Sequence, residues 1–92
     1  MNLELKLALC QMQVVDNKNL NIKKALQMIK ESSKEDLQLI ILPEMFNCPY
    51  ENSKFEEYAE YVDESPTLKS MSSAASKFNI HLVAGSIPEK TD

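Results

Sequence analysis

The most informative segment of the chain reads Leu39-Ile40-Ile41-Leu42-Pro43-Glu44-Met45-Phe46-Asn47-Cys48-Pro49-Tyr50. Its four leading aliphatic residues predict a short strand, residues 39–42, that is buried on both faces. Pro43 ends the strand because it has no N–H to donate to a neighbouring strand. Glu44 is therefore expected at the carboxyl end of a central strand, where ligand-binding and catalytic groups gather in open α/β sheets. Its apolar neighbours, Met45 and Phe46, are expected to desolvate the carboxylate partly, which favours a general base.

Extended and helical patterns alternate along the chain, and their order β-α-β-α-β favours an α/β fold with a parallel sheet and right-handed crossovers. A long connection, from residue 45 to about residue 53, follows the central strand, and loops of this length tend to be functional or disordered. Before the central strand, the sequence predicts a strand from Leu5 to about Val14 and a helix that is capped by Asp16, Asn17 or Asn19 and ends between residues 32 and 36. After it, the sequence predicts a short helix through Phe55, Tyr58 and Tyr61 and a longer helix from the Ser65 cap and Pro66 through Phe78. The last predicted element is a strand over residues 80–84.

The two longer helices each carry a single apolar stripe. The stripes comprise Ile22, Ala25, Leu26 and Ile29 in one helix, and Leu68, Met71, Ala74, Ala75 and Phe78 in the other. If the strands add in one direction, both helices cover the same face of the sheet. The opposite face then stays uncovered within these 92 residues, so the sequence predicts one part of a larger layered domain.

Composition argues against several functional classes. The net charge of −4 and the scattered lysines argue against a nucleic-acid surface. No apolar run approaches the roughly 20 residues that cross a bilayer, and the charged amino terminus, residues 1–6, does not resemble a secretory signal. Gly85 is the only glycine, which excludes a glycine-rich phosphate loop, and one histidine without clustered cysteines argues against a structural metal site. Cys10 and Cys48 fit a reducing compartment, so we expect a cytoplasmic protein.

The run Leu-Pro-Glu-Met-Phe-Asn-Cys-Pro-Tyr resembles the first signature of the nitrilase superfamily, the carbon–nitrogen hydrolases, and is most similar to the omega-amidase or Nit2-like branch. The resemblance extends from the Leu-Ala-Leu-Cys-Gln-Met-Gln strand, residues 7–13, to Gly-Ser-Ile-Pro-Glu, residues 85–89. It implies that residues 1–92 form the amino-terminal part of an α-β-β-α sandwich, truncated on its carboxyl-terminal side.

For chemistry, the resemblance implies that Glu44 is the general base of a Glu-Lys-Cys triad that hydrolyses a small carboxamide. The lysine and the nucleophilic cysteine would belong to later segments, so the 92-residue chain is expected to be inactive alone. The resemblance also implies no metal or organic cofactor, and homodimers or larger assemblies. A non-catalytic binding module and a fragment without function of its own are the alternatives.

Other candidate residues have competing interpretations. Cys48 lies four residues after Glu44 and invites a nucleophile interpretation, but a packing role in the loop is favoured. Tyr50 is predicted either to line a substrate pocket or to lie at the edge of the core. His81 is expected on the outer sheet face, and Cys10 is expected to be a small buried residue. The acidic run is predicted to be a solvated helix face and comprises Glu56, Glu57, Glu60, Asp63 and Glu64.

Overall fold

The fold is a small parallel sheet with helical crossovers, seen in a computed structural model that describes residues 4–91. The predicted β-α-β-α-β order is confirmed. The short helix predicted through Phe55, Tyr58 and Tyr61 is present but ends at Tyr58, and a 3-10 turn precedes the last long helix. The elements are β1 (Leu7–Leu9), α1 (Lys18–Ser32), β2 (Leu39–Ile41), α2 (Asn52–Tyr58), the 3-10 turn Val62–Glu64, α3 (Pro66–Phe78) and β3 (His81–Val83). Residues 1–3, where the charged amino terminus expected from the sequence begins, lie outside the described range.

The sheet has the order β1-β2-β3, and both strand pairs are parallel. Leu39 of the central strand is in register with Leu7 on one side and with His81 on the other. Pairing continues for one residue past the strands, because the Cys10 N–H donates to Ile41 (2.9 Å) and the Leu42 N–H donates to Val83 (2.9 Å).

The first strand is shorter than the predicted span from Leu5 to Val14. It ends near the end of its partner strand, because Leu9 is in register with Ile41, two residues before Pro43, which has no N–H to donate. Farther along the chain, Val15 bonds to Asn21, a fully buried residue of α1. Its side-chain oxygen accepts the Val15 N–H (2.8 Å) and its amide donates to the Val15 carbonyl (2.7 Å). The backbone of Val15 is therefore satisfied by a helix side chain and not by a neighbouring strand.

The two long helices begin as the sequence predicts. Of the three capping candidates, Asn17 is the N-cap of α1, and its side chain accepts the Leu20 N–H (3.0 Å). Ser65 caps α3 by accepting the Leu68 N–H (3.0 Å), with proline in the first turn.

Both long helices pack on the same face of the sheet, and the core lies between them and the strands. Ile40 of β2 is fully buried on this side, whereas Leu39 and Ile41, which point the other way, are only half-buried. The prediction that residues 39–42 are buried on both faces is therefore wrong for the described chain. The open face also carries Leu7, Leu9, His81 and Val83, and Leu9 is 69% exposed. Within residues 4–91, the expectation of an uncovered sheet face and an outward His81 is confirmed.

No helix in the described range is long and apolar enough to cross a membrane.

Candidate active site

Glu44 lies just past the carboxyl end of the central strand, three residues after Ile41. Its backbone forms an isolated parallel bridge with Ser86, which follows β3. The predicted position of Glu44 is thus confirmed. Its side chain is exposed, so the desolvation expected from Met45 and Phe46 does not arise within the described residues.

A sharp turn separates Glu44 from the core. Met45 adopts the left-handed conformation (φ 57°), which is uncommon for a residue with a side chain. The turn sends Phe46 into the core, where it is fully buried. Burial of a phenylalanine contributes about 1.5–3 kcal/mol, which offsets a left-handed residue at about 1–2 kcal/mol. The same turn leaves Glu44 facing outwards.

Gly85 allows the end of β3 to approach the end of β2 closely. It has a positive φ of 58°, and a Cβ at this position would clash with the Pro43 carbonyl oxygen and lie 2.8 Å from its carbon. The Cβ would also lie 3.2 Å from the Cα of Glu44. Only glycine fits between these two strand ends, and the backbone of Glu44 rests directly against it.

Asn47 anchors the loop that follows Glu44. It is fully buried, and its carbonyl accepts a hydrogen bond from the Asn21 amide (3.2 Å). Its own side-chain amide donates to Glu60 (3.2 Å) and to the Thr67 hydroxyl (3.0 Å). Its side-chain oxygen is buried without a hydrogen-bond partner among the described residues.

Glu60 is buried, with 7% of its surface exposed, so the prediction of a solvated helix face is wrong for this residue. Helix α2 ends at Tyr58, which places Glu60 in an extended segment beyond the helix. The other acidic residues of the run, Glu56, Glu57, Asp63 and Glu64, are exposed as predicted.

The Glu60 carboxylate accepts hydrogen bonds from the start of α3. The donors are the Ser65 hydroxyl, the Thr67 N–H (3.0 Å) and the Thr67 hydroxyl (2.6 Å). Lys18, at the start of α1, lies 3.0 Å away and also donates to the Tyr58 carbonyl (2.7 Å). We refer to Lys18, Asn47, Glu60, Ser65 and Thr67 as the Glu60 cluster.

The Glu60 cluster keeps its carboxylate ionised. Burial by itself would raise the pKa of Glu60, but the hydrogen bonds from Ser65, Thr67 and Lys18 outweigh burial and lower the pKa from 4.5 to about 2. One feature of the sequence could have indicated that Glu60 is hydrogen-bonded. Glu60 precedes the Ser65 cap by five residues, so it lies within reach of the hydroxyl groups at the start of the next helix. Its contacts with Lys18 and Asn47 depend on tertiary structure.

Cys48 occupies the packing position that the sequence favoured. It is 1% exposed, and its thiol donates to the Pro49 carbonyl (3.3 Å). Burial raises the pKa of the Cys48 thiol, with Lys18 opposing the shift, so the reactive thiolate is disfavoured. Both Cys48 and Cys10 are free and buried.

Tyr50 is 76% exposed and contacts the edge of the Phe55 ring (5.9 Å between centroids). It therefore does not lie at a core edge, and its role in lining a substrate pocket stays a prediction. An open cavity of about 500 Å³ lies beside Met45, with Phe55 and Lys90 among its lining residues. Within residues 4–91, no group of three or more histidine, cysteine, aspartate or glutamate side chains could hold a metal ion.

The sequence of the chain is similar to those of known carbon–nitrogen hydrolases and omega-amidases. The family model for carbon-nitrogen hydrolases matches residues 6–92. The chain is 45% identical over 84 residues to nitrilase homolog 2 of Dictyostelium discoideum, and 41% identical over 85 residues to omega-amidase NIT2 of Bos taurus. These matches cover 91% and 92% of this chain but only 25% and 30% of the two relatives, so the chain spans between a quarter and a third of their length.

The fold also matches a solved structure. The crystal structure of Saccharomyces cerevisiae Nit3, a member of branch 10 of the nitrilase superfamily, aligns with a TM-score of 0.84 and 36% identity. The alignment covers 92% of this chain and 34% of that one. The expected amino-terminal portion of a nitrilase-type α/β fold is therefore confirmed, as is the resemblance to Nit2-like proteins.

Proposed function

Because the chain belongs to the carbon–nitrogen hydrolase family, we propose that it supplies the general base, Glu44, of an omega-amidase-like enzyme that hydrolyses a small carboxamide. The observation that carries this proposal is the position of Glu44. A turn through Met45, packed against Gly85, presents an exposed carboxylate at the carboxyl end of the central strand.

The proposed reaction follows the triad that the family resemblance implies. A cysteine thiol attacks the amide carbonyl while Glu44 accepts the thiol proton, and that proton leaves with the amine as ammonia. Water then attacks the resulting thioester, again with Glu44 as the base, and the carboxylic acid and free thiol are released. A lysine stabilises the oxyanion in both steps. We propose that this cysteine and lysine come from outside the 92 residues, since Cys48 is buried with a raised pKa.

Three further properties belong to the proposal. The substrate is a small carboxamide, and the reaction needs no metal or organic cofactor. The active protein is a homo-oligomer, as the family resemblance implies, and the exposed apolar sheet face is covered in it by the second sheet of the sandwich. The location is cytoplasmic, which the two free cysteines support because a reducing compartment preserves thiols.

A chimeric enzyme tests the role of Glu44. Residues 6–91 of this chain would replace the matching segment of bovine omega-amidase NIT2, and ammonia release from a short omega-amide would be measured. Glu44→Gln keeps the shape of the side chain but removes the base, so turnover should fall about 10²–10⁴-fold. Stability should change by less than about 0.5 kcal/mol because Glu44 is exposed.

The matched control is Glu64→Gln, the same substitution at an exposed carboxylate of the 3-10 turn. The control chimera should keep full turnover. An active Glu44→Gln chimera, or an equal loss in both variants, would rule out Glu44 as the base. The 92-residue chain alone should release no ammonia, and turnover that is abolished by alkylation of Cys48 would instead identify Cys48 as a nucleophile.

A non-catalytic interaction module is the second candidate, and the exposed apolar face of the sheet favours it. Leu7 and Leu9 on this face are 43% and 69% exposed, and adjacent exposed apolar side chains mark interaction surfaces. This candidate predicts a folded chimera that has no amidase activity even with Glu44 in place.

A further inference from the structure

Glu44 and Glu60 are connected by two separate routes. Along the backbone, Glu44 bridges Ser86 and Glu60 bridges Glu89, so both glutamates lie beside the same segment, residues 86–89. The second bridge is made by Glu60, whose N–H donates to the Pro88 carbonyl (3.1 Å) and whose carbonyl accepts the Lys90 N–H (2.8 Å). Along the loop, the Asn47 amide donates to the Glu60 carboxylate. Together, the two routes form a closed ring of contacts that runs from Glu44 to Ser86, along residues 86–89 to Glu60, and through Asn47 back to Glu44.

The carboxylate of Glu44 is exposed, so its direction depends on the backbone beneath it. That backbone is the turn through Met45, whose left-handed conformation is unfavourable on its own. A strained turn persists only where its surroundings fix both ends. Gly85 and Ser86 support one end, and Asn47 holds the other.

Glu60 contributes to the start of α3 by accepting the Thr67 N–H, but it is not the only cap, because the Ser65 hydroxyl accepts the Leu68 N–H. An ion pair such as Lys18–Glu60, with a buried carboxylate and a partly exposed lysine, is also a weak source of stability, since apolar residues of similar size often stabilise a fold as well. What the pair does provide is one defined arrangement of the donors around Glu60. Asn47 is the donor that belongs to the Glu44 loop.

We propose that Asn47 and Glu60 are positioning residues for Glu44: their buried hydrogen bond fixes the loop at residues 45–50, and with it the direction of the base. This inference rests on the proposed function, because it assigns a purpose to the direction of Glu44. It assigns a role in the active site to a second acidic residue, Glu60, which acts through Asn47 and does not contact the substrate.

Two cysteines provide a direct test in the 92-residue chain. Cys48 lies in the loop and Cys10 lies beside β1, and both are buried. Local release of the loop exposes Cys48 alone, whereas global unfolding exposes both thiols. In Glu60→Gln, we expect the rate of iodoacetamide alkylation at Cys48, relative to Cys10, to rise at least tenfold. Peptide mass spectrometry measures the two rates in one sample.

Two further variants make the test specific. Asn47→Ala removes the hydrogen bonds from the loop to Glu60 and to the Thr67 hydroxyl, but leaves Glu60 with Lys18, Ser65 and Thr67. It should raise the same ratio, and it tests the proposal even if Glu60→Gln fails to fold. Glu64→Gln, at an exposed position, should leave the ratio unchanged.

The chimeric enzyme supplies the functional measurement. If Asn47 and Glu60 position the base, their variants should lower kcat at least tenfold and leave KM within about twofold. Addition of Asn47→Ala to Glu44→Gln should then cause no further loss, because the positioned group is already absent.

The results separate the positioning proposal from the proposed function. Equal acceleration at both cysteines, an unchanged Cys48 rate or an unchanged kcat would each overturn the positioning role. A Glu44→Gln chimera that retains activity would overturn the proposed function as well. In that case, selective exposure of Cys48 would still show that the ring of contacts holds the loop, for a purpose other than orienting a base.

Discussion

The hydrogen bonds to the buried Glu60 carboxylate make the stability of the fold depend on pH. Its folded-state pKa of about 2 lies below the ordinary 4.5, so the unfolded chain takes up the proton first as the pH falls. The stabilisation is present in full above about pH 4.5 and is lost as the pH drops towards 2. A shift of this size corresponds to about 3–4 kcal/mol at most.

The expected result is a loss of unfolding free energy between pH 4.5 and pH 2 that is smaller in Glu60→Gln than in the unaltered chain. Urea titrations at several pH values measure this difference. Asp16, whose pKa is lowered by hydrogen bonds from Tyr58 and Lys54, contributes in the same direction and is common to both proteins. Parallel pH profiles for the two proteins would mean that Glu60 does not carry the dependence.

The two glutamates illustrate what a sequence reveals about single residues. The position of Glu44 follows from four aliphatic residues and a proline beside it, which are local signals. The role of Glu60 depends on Asn47, 13 residues away, and on Lys18, 42 residues away. Helical spacing placed Glu60 on a solvated face, because nothing local indicated that α2 ends at Tyr58.

Among the elements, the contact between the ends of β2 and β3 depends on Gly85. Alanine there must adopt a positive φ and push against the Pro43 backbone. We expect Gly85→Ala to lower the free energy of unfolding by about 2 kcal/mol or more, from the left-handed conformation and the clash together. Ser86→Ala, at the exposed next residue, is the control and should change stability by less than about 0.5 kcal/mol. Thermal melts compare the two variants, and equal melting temperatures would contradict a close contact at Gly85.

Element types were more predictable than their ends. The apolar stripes and the Ser65 cap located both long helices, since these signals are contained within a few turns. The first strand was predicted to continue to Val14, but it ends at Leu9, opposite the last residue of β2, and Val15 beyond it bonds to the Asn21 side chain. Both causes lie on other elements, which a pattern of alternating residues does not contain.

For the whole molecule, the open sheet face should control association. Leaving an aliphatic side chain in water costs about 1.5–3 kcal/mol relative to burial, and Leu9 is 69% exposed on this face. We expect the chain to self-associate and to bind a hydrophobic dye, and Leu9→Lys to reduce both. Leu68→Lys, at a partly exposed position of α3 on the helical side, should reduce neither. Sedimentation with a dye titration makes the comparison, and a monomeric, dye-silent unaltered chain would show that this face does not associate.

The uncovered face was predictable from topology because two crossovers in one direction place both helices on one side. The sequence could not show how the loop after Glu44 is held, because that depends on Asn21, Asn47 and Glu60 meeting in three dimensions.

The parallel order of the strands also determines how the chain must fold. Leu9 is in register with Ile41, and Ile41 with Val83, so no strand pairs with a near neighbour in sequence. Each pairing closes a long loop before any strand contact forms, and such topologies fold slowly compared with helical bundles. We expect refolding in milliseconds to seconds, with helical signal in α1 and α3 appearing before sheet protection in pulsed hydrogen exchange. During synthesis on the ribosome, β1 therefore cannot pair with β2 until more than thirty further residues have been added to the chain.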